Sequence, residues 1–308
     1  MGTSESSTAP AIRCSGLTKD YGQDRGVFDL DLTVQRGEVF GFIGPNGAGK
    51  TTTIRLLMDL IRPDQGSASV FEFDCQVDSL AVKRLVGYLP GEMPTFPGVT
   101  AGYVIGLIAG LRGSVDAGRV SALAERLDLD LSLRYEDLSH GNKQKVGLIQ
   151  AFMHQPELLI LDEPTLGLDP LMQRRFRQLV EESLAAGATV FLSSHDLSEV
   201  EQICDRIALI RGGRLVRVGT LEELRGMRVH QISAVFRGTL LAADVGALPG
   251  VGDVRIEDHH LTCSVRGPVS PLLQALVDAH VVEVDSRELS LEQVFISEYE
   301  TAVSGADS

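Results

Sequence analysis

Residues 44–51 read GPNGAGKT. They fit G-x-x-x-x-G-K-[ST], a pattern whose glycines let the backbone curl until several N–H groups point at one phosphate. The pattern requires a strand before it and a helix after it. GEVFGFIG (37–44) is a strand-like run, and KTTTIRLLMDLI (50–61) has helical spacing. The helix start adds its partial positive charge to the cradle. Lys50 can then reach the β- and γ-phosphates of a nucleotide, and Thr51 can hold Mg²⁺.

Outward from this loop the same alternation continues. RLVGYL (84–89), LLILDEP (158–164), ATVFLSS (188–194) and RIALIRGG (206–213) read as strands. The runs LLIL and VFLS are continuously apolar, as in strands buried on both faces of a parallel sheet. Between them lie helical stretches at 116–128, KQKVGLIQAFMH (143–154) and LMQRRFRQLVEESLAAG (171–187). This predicts an α/β fold with a mostly parallel sheet over 11–225. The polar residues 1–10 are expected to be a disordered tail.

The pattern changes near Gly226. From 229 it reads strand, helix, strand, strand, helix, strand, a split ferredoxin-like order in a small α+β domain spanning 226–308. A last helix is expected from Ser290, with Gln293 completing a capping box and Leu291, Val294, Phe295 and Tyr299 forming an apolar stripe. His259 and His260 fall in the expected hairpin between two of these strands, with no third ligand in view for a metal.

Composition limits the partners. A net charge of −14 argues against a nucleic-acid binder and against docking onto anionic lipid by charge. No secretory signal is visible, and YVIGLIAGL (103–111) is far shorter than the ~20 residues that span a bilayer. Cys14, Cys75, Cys204 and Cys263 lack CxxC spacing and are expected to be buried, reduced thiols.

Three further stretches carry chemistry. LLILDEP delivers Asp162 and Glu163 at a strand end: Asp162 suits Mg²⁺ through water, and Glu163 can take a proton from an attacking water. Taken alone, the pair also reads as two solvated acids. His195 ends VFLSSHD; a lone histidine is usually structural, but beside a phosphate cradle it can hydrogen-bond a γ-phosphate. Tyr21 in LTKDYG is either a surface tyrosine or a platform for adenine.

In this order the motifs resemble the ATPase subunit of an ATP-binding cassette (ABC) transporter, over about 11–225. Tyr21 matches the adenine-stacking loop, and Gly44, Pro45, Asn46, Gly47, Ala48, Gly49, Lys50, Thr51 and Thr52 match the Walker A loop. LSHGN (138–142) matches the LSGGQ signature through Ser139 and Gly141, 159–163 the Walker B strand, Asp169 the D-loop and His195 the switch histidine. The GYLPGE segment, the variant signature and the C-terminal extension resemble exporter ATPases of the daunorubicin- and tetronasin-resistance kind, whose membrane permease is a separate chain. The resemblance implies a homodimer that closes on two ATP molecules at the cytoplasmic face of the membrane and drives that permease. Each ATP would lie between one chain's Walker loop and the other chain's signature.

Two departures stand out. The family has a Gln after GYLP; here Gly91 stands there, followed by Glu92, which can take over part of the metal or water contact or be a plain surface residue. The signature carries His140 and Asn142, with Lys143 and Lys145 expected to face solvent. Two alternatives to transport follow: a non-catalytic ATP-binding switch, suggested by these departures, and a soluble cassette protein of translation or repair, disfavoured by the acidic charge and the single cassette.

Overall fold

The computed structural model of the chain describes residues 9–113, 115–225 and 229–288. They form two compact units, divided between Gly219 and Thr220.

The first unit is built on two sheets. Strands β3 (Val39–Ile43), β6 (Val86–Leu89), β7 (Leu158–Asp162), β8 (Thr189–Ser194), β9 (Arg206–Arg211) and β10 (Arg214–Thr220) form one, in the order β10-β9-β3-β8-β7-β6. The pairings β9-β3, β3-β8, β8-β7 and β7-β6 are all parallel. Every residue of β3, β7 and β8 is buried, which is why these segments are apolar without alternation. Strands β1 (Ile12–Asp20), β2 (Gly26–Val34), β4 (Gln65–Val70) and β5 (Phe73–Asp74) form an antiparallel sheet in the order β2-β1-β4-β5. One core joins the two sheets, from Ile12, Leu30 and Val70 to Phe40, Phe42 and Phe191.

Helix α1 (Lys50–Leu57) follows β3. It stops short of the expected Ile61, because Asp59 takes a left-handed φ of 49°. Helix α2 (Ser79–Leu85) runs directly into β6, so the expected strand at 84–89 begins only at Val86. Helices α3 (Ala101–Arg112), α4 (Ala117–Arg126) and α5 (His140–Phe152) form the helical part. Of α3's apolar residues, Tyr103, Leu107 and Leu111 are exposed. No helix among the described residues is long and apolar enough to cross a membrane. Helix α6 (Pro170–Ala185) precedes β8 and the short α7 (Leu197–Val200) follows it.

The second unit opens with α8 (Leu221–Arg225) and continues as β11 (Val229–Phe236), α9 (Ala242–Gly246), β12 (Val251–Glu257), β13 (His260–Arg266), α10 (Ser270–Asp278) and β14 (Val281–Glu288). The sheet order β12-β13-β11-β14, all antiparallel, is that of a split ferredoxin-like fold. Ile232, Ala234 and Phe236 of β11 pack with Leu272 and Leu276 of α10. The hairpin expected at the two histidines is formed, but each ring has a structural partner. His259 meets the Phe236 ring edge-on at 5.7 Å, and His260 Nε2 lies 2.7 Å from Ser233 Oγ. No cluster of three or more metal-ligating side chains exists among the described residues. The helix expected from Ser290 lies outside the described residues. Cys14, Cys75, Cys204 and Cys263 are all buried and free.

Candidate functional site

The loop from Gly44 to Gly49 turns between β3 and α1. A Cβ on Gly44 would lie 2.2 Å from the Ile210 carbonyl oxygen, so only glycine lets β3 leave the sheet there. Gly49 has a φ of 109° and starts α1 with no side-chain cap, so the first N–H groups of the helix have no local side-chain acceptor. Lys50 is the first helical residue and is only 5% exposed. Its ammonium bends back over the loop and donates to the carbonyl oxygens of Gly44 at 2.6 Å and Pro45 at 3.3 Å.

A cleft of about 580 Å³ opens over this loop. Tyr21 stands at it, 54% exposed, with Asn46, Gly47, Ala48, Gly49, Lys50, Thr51 and Thr52 along one side and Glu92 and Glu163 among its other lining residues. Five lining residues carry no motif signal as cleft residues: Arg25, Gly26, Arg55, Leu166 and, from the N-terminus of α5, His140.

At the end of β7 the two acids have opposite surroundings. Asp162 is fully buried; its Oδ1 accepts a 2.5 Å hydrogen bond from Ser193 Oγ, while its Oδ2 has no partner. A buried carboxylate oxygen without a partner is costly, and completing it is what a divalent cation does. The nearby Tyr88 hydroxyl is pushed up to about 12 by burial and then by the Asp162 charge. Gly91 packs against the same carboxylate: a Cβ there would lie 2.9 Å from Asp162 Oδ2. A side chain at the position where the family carries Gln would therefore have to displace the Asp162 carboxylate.

Glu163 faces the cleft. Its Oε1 lies 3.2 Å from Lys50 Nζ and its Oε2 2.8 Å from His195 Nδ1. Its backbone has a φ of 49°, a left-handed conformation that costs a non-glycine residue roughly 1 kcal/mol. Hydrogen bonds offset this. The Glu163 N–H donates to Ser193 Oγ at 3.0 Å and to the Ser193 carbonyl at 3.2 Å, and its own carbonyl accepts from Gln144 Nε2 at 3.0 Å. Ser193 and Gln144 were not foreseen as site residues. The signal for Ser193 is a hydroxyl pair at the end of an otherwise apolar strand, and for Gln144 an amide on the buried face of its helix.

The ABC transporter family model matches residues 27–166. The Nod factor export ATP-binding protein I of Cupriavidus pinatubonensis is 34% identical over 91% of this chain and 88% of its own length. The daunorubicin/doxorubicin resistance ATP-binding protein of Streptomyces peucetius is 33% identical over 96% of this chain and 92% of its own. The chain belongs to the ABC transporter ATP-binding family. A solved ATP-binding subunit of an ABC transporter superposes with a TM-score of 0.64, at 31% identity, over 70% of this chain and 92% of that one.

Of the signature and D-loop residues, His140 lines this cleft while Ser139, Gly141 and Asp169 do not. Ser139 caps α5, accepting from the Asn142 N–H at 3.3 Å, and Asp169 caps α6, accepting from the Met172 N–H at 2.9 Å. The two lysines expected in solvent are engaged instead. Lys145 Nζ donates to the Asp128 carbonyl at 3.1 Å, and Lys143 Nζ lies 5.8 Å from the centre of the Tyr135 ring. Their long apolar stems lie along the helical part while the charges find local partners.

Proposed function

We propose that this chain hydrolyses ATP with Mg²⁺ and couples the reaction to an exporter whose membrane-spanning permease is a separate chain. The observation that carries the reading is the line Lys50–Glu163–His195, whose first two members line the cleft, set beside a fully buried Asp162 with one unpartnered oxygen.

Tyr21 offers its exposed ring to adenine, with an attraction on the order of 1 kcal/mol. The loop N–H groups and Lys50 hold the phosphates. Thr51 and Asp162 would hold Mg²⁺, which when bound offsets the charge of the phosphate oxygens. Glu163 accepts a proton from the water that attacks the γ-phosphate. His195 commits Nδ1 to Glu163, which leaves Nε2 as the nitrogen that can face a phosphate oxygen. Glu92, exposed on the cleft, is the acid on the metal side where Gly91 supplies no side chain.

Ser139, Gly141 and Asp169 serve the second chain of a homodimer, whose nucleotide they would contact. The exposed apolar stripe Tyr103, Leu107 and Leu111 of α3 suits a permease partner. With such a partner the chain would work at the cytoplasmic face of the membrane, peripheral to it. The names of the two relatives, one for export and one for drug resistance, support export of a hydrophobic compound. The second unit, with no catalytic constellation among its described residues, stabilises or regulates the dimer.

The decisive measurement is steady-state phosphate release. Glu163→Gln is expected to lower it by about a hundredfold or more while ATP still binds. A wild-type complex that binds ATP and releases no phosphate would overturn the reading in favour of an ATP-binding switch, the alternative that the side chain missing at Gly91 favours.

A further inference from the structure

The N-terminus of α5 touches the catalytic segment of its own chain at three points. Gln144, 1% exposed, donates to the Glu163 carbonyl at 3.0 Å. The ring of His140 covers Gly167, where a Cβ would come within 2.6 Å of its Cδ2. Gly141 is so close to that residue that a Cβ on it would lie 2.5 Å from the Gly167 carbonyl oxygen. Glu163 and Gly167 both have left-handed backbones, with φ of 49° and 78°. The stretch between them is a turn that starts at the strained Glu163 and is held on one side by Ser193 of β8 and on the other by α5.

A peptide held in a sparsely populated conformation persists only where its surroundings over-determine it. Of the partners of the Glu163 peptide, Ser193 sits on a strand of the central sheet, fixed by pairing on both sides. Gln144 sits two turns or less from Ser139, on the helix that carries the signature. The Glu163 carbonyl also accepts from the Leu166 N–H at 3.2 Å, inside the turn itself, so Gln144 is the contact of this carbonyl that comes from the signature helix.

We propose that Gln144 is a positioning residue for Glu163: its buried amide holds the strained Glu163 peptide, and so aims the carboxylate, only while the signature turn of the same chain is seated. This rests on Glu163 being the base and on a dimer in which the signature serves the partner's nucleotide. Under those conditions the amide ties the base of one site to the phosphate contacts of the other. His140 and Gly141 hold the far end of the same turn and keep it against α5.

The test uses the full-length chain, with phosphate release, binding of a fluorescent ATP analogue and thermal unfolding measured together. Gln144→Met keeps the length and removes the donor. Turnover at saturating ATP should fall by about tenfold to a hundredfold, the loss expected when a reacting group is misaimed, with KM for ATP and the unfolding temperature held close to wild type. In a Glu163→Gln background the same change should cause no further loss. Gln144→Glu, of equal size and also lacking the amide donor, carries the test if the methionine variant does not fold, and should show the same split. Unchanged turnover would overturn the proposal, as would a loss that appears in KM and unfolding temperature together, the mark of a merely structural residue. Full turnover in Glu163→Gln would remove the base assignment instead, and is read independently of either Gln144 variant.

Discussion

Two helices of the first unit begin at the stretches proposed to contact phosphate, and they begin in different ways. α1 starts at Gly49, left-handed and without a side-chain cap; α5 starts at Ser139, in extended backbone, with its hydroxyl accepting from the Asn142 N–H. An uncapped start forgoes about 1 kcal/mol of local stability, and its N–H groups remain available for an anion from outside. A self-capped start is complete alone. The Ser139 oxygen is used as an acceptor, yet a hydroxyl that accepts still has its own proton to donate. The first helix start is therefore a receptor that one chain finishes with Lys50. The second is a donor held ready by a stable helix, suited to reach a phosphate bound elsewhere.

The largest break in this comparison is Lys50→Ala. It removes the ammonium that bends over the 44–49 loop, and ATP affinity should fall on the order of a hundredfold, read by nucleotide titration. A smaller break is made beside Asp162. The resemblance suggests restoring glutamine at Gly91, but the Asp162 carboxylate occupies the space. Gly91→Gln should therefore lower phosphate release by about tenfold rather than raise it, because overpacking displaces the backbone by the fraction of an ångström that catalytic alignment does not tolerate. Increased turnover in that variant would show that the segment moves freely. The smallest effect is expected from Ser139→Ala in thermal unfolding: losing one cap costs about 1 kcal/mol, or roughly 2–4 °C for a unit of this size. Turnover should fall further than this, since the donated proton is lost as well. A variant that loses stability but keeps turnover would return the serine to a purely structural role.

Much of the central sheet was legible because burial on both faces leaves a plain mark: β3, β7 and β8 had to be apolar throughout. The second unit was legible for the complementary reason, since its strands alternate and its sheet buries one face. The antiparallel sheet of β1, β2, β4 and β5 left no such mark. β1 carries irregular register at Cys14–Leu17, with Gly16 left-handed, which breaks the period of two. At the site, the closeness of Lys50, Glu163 and His195 was legible because their motifs stand at element boundaries. Gln144 was not, since its role is set by a backbone carbonyl that sequence does not display. Nor was the lack of space at Gly91, which depends on an approach between segments about seventy residues apart.

The four thiols have a practical side. Burial, reinforced by nearby carboxylates, pushes Cys75 up to about 12, and burial pushes Cys263 up to about 11, with Cys14 and Cys204 also held far above the ordinary thiol value. At neutral pH none supplies an appreciable thiolate to an alkylating reagent. The wild-type sequence is thus expected to be a silent background for site-directed labelling, which a thiol titration of the native chain would check. A single cysteine introduced on the exposed side of α3, or near Tyr21, would carry a fluorophore or spin label alone, and distances across a nucleotide-closed pair could be followed without first removing the native sulfurs.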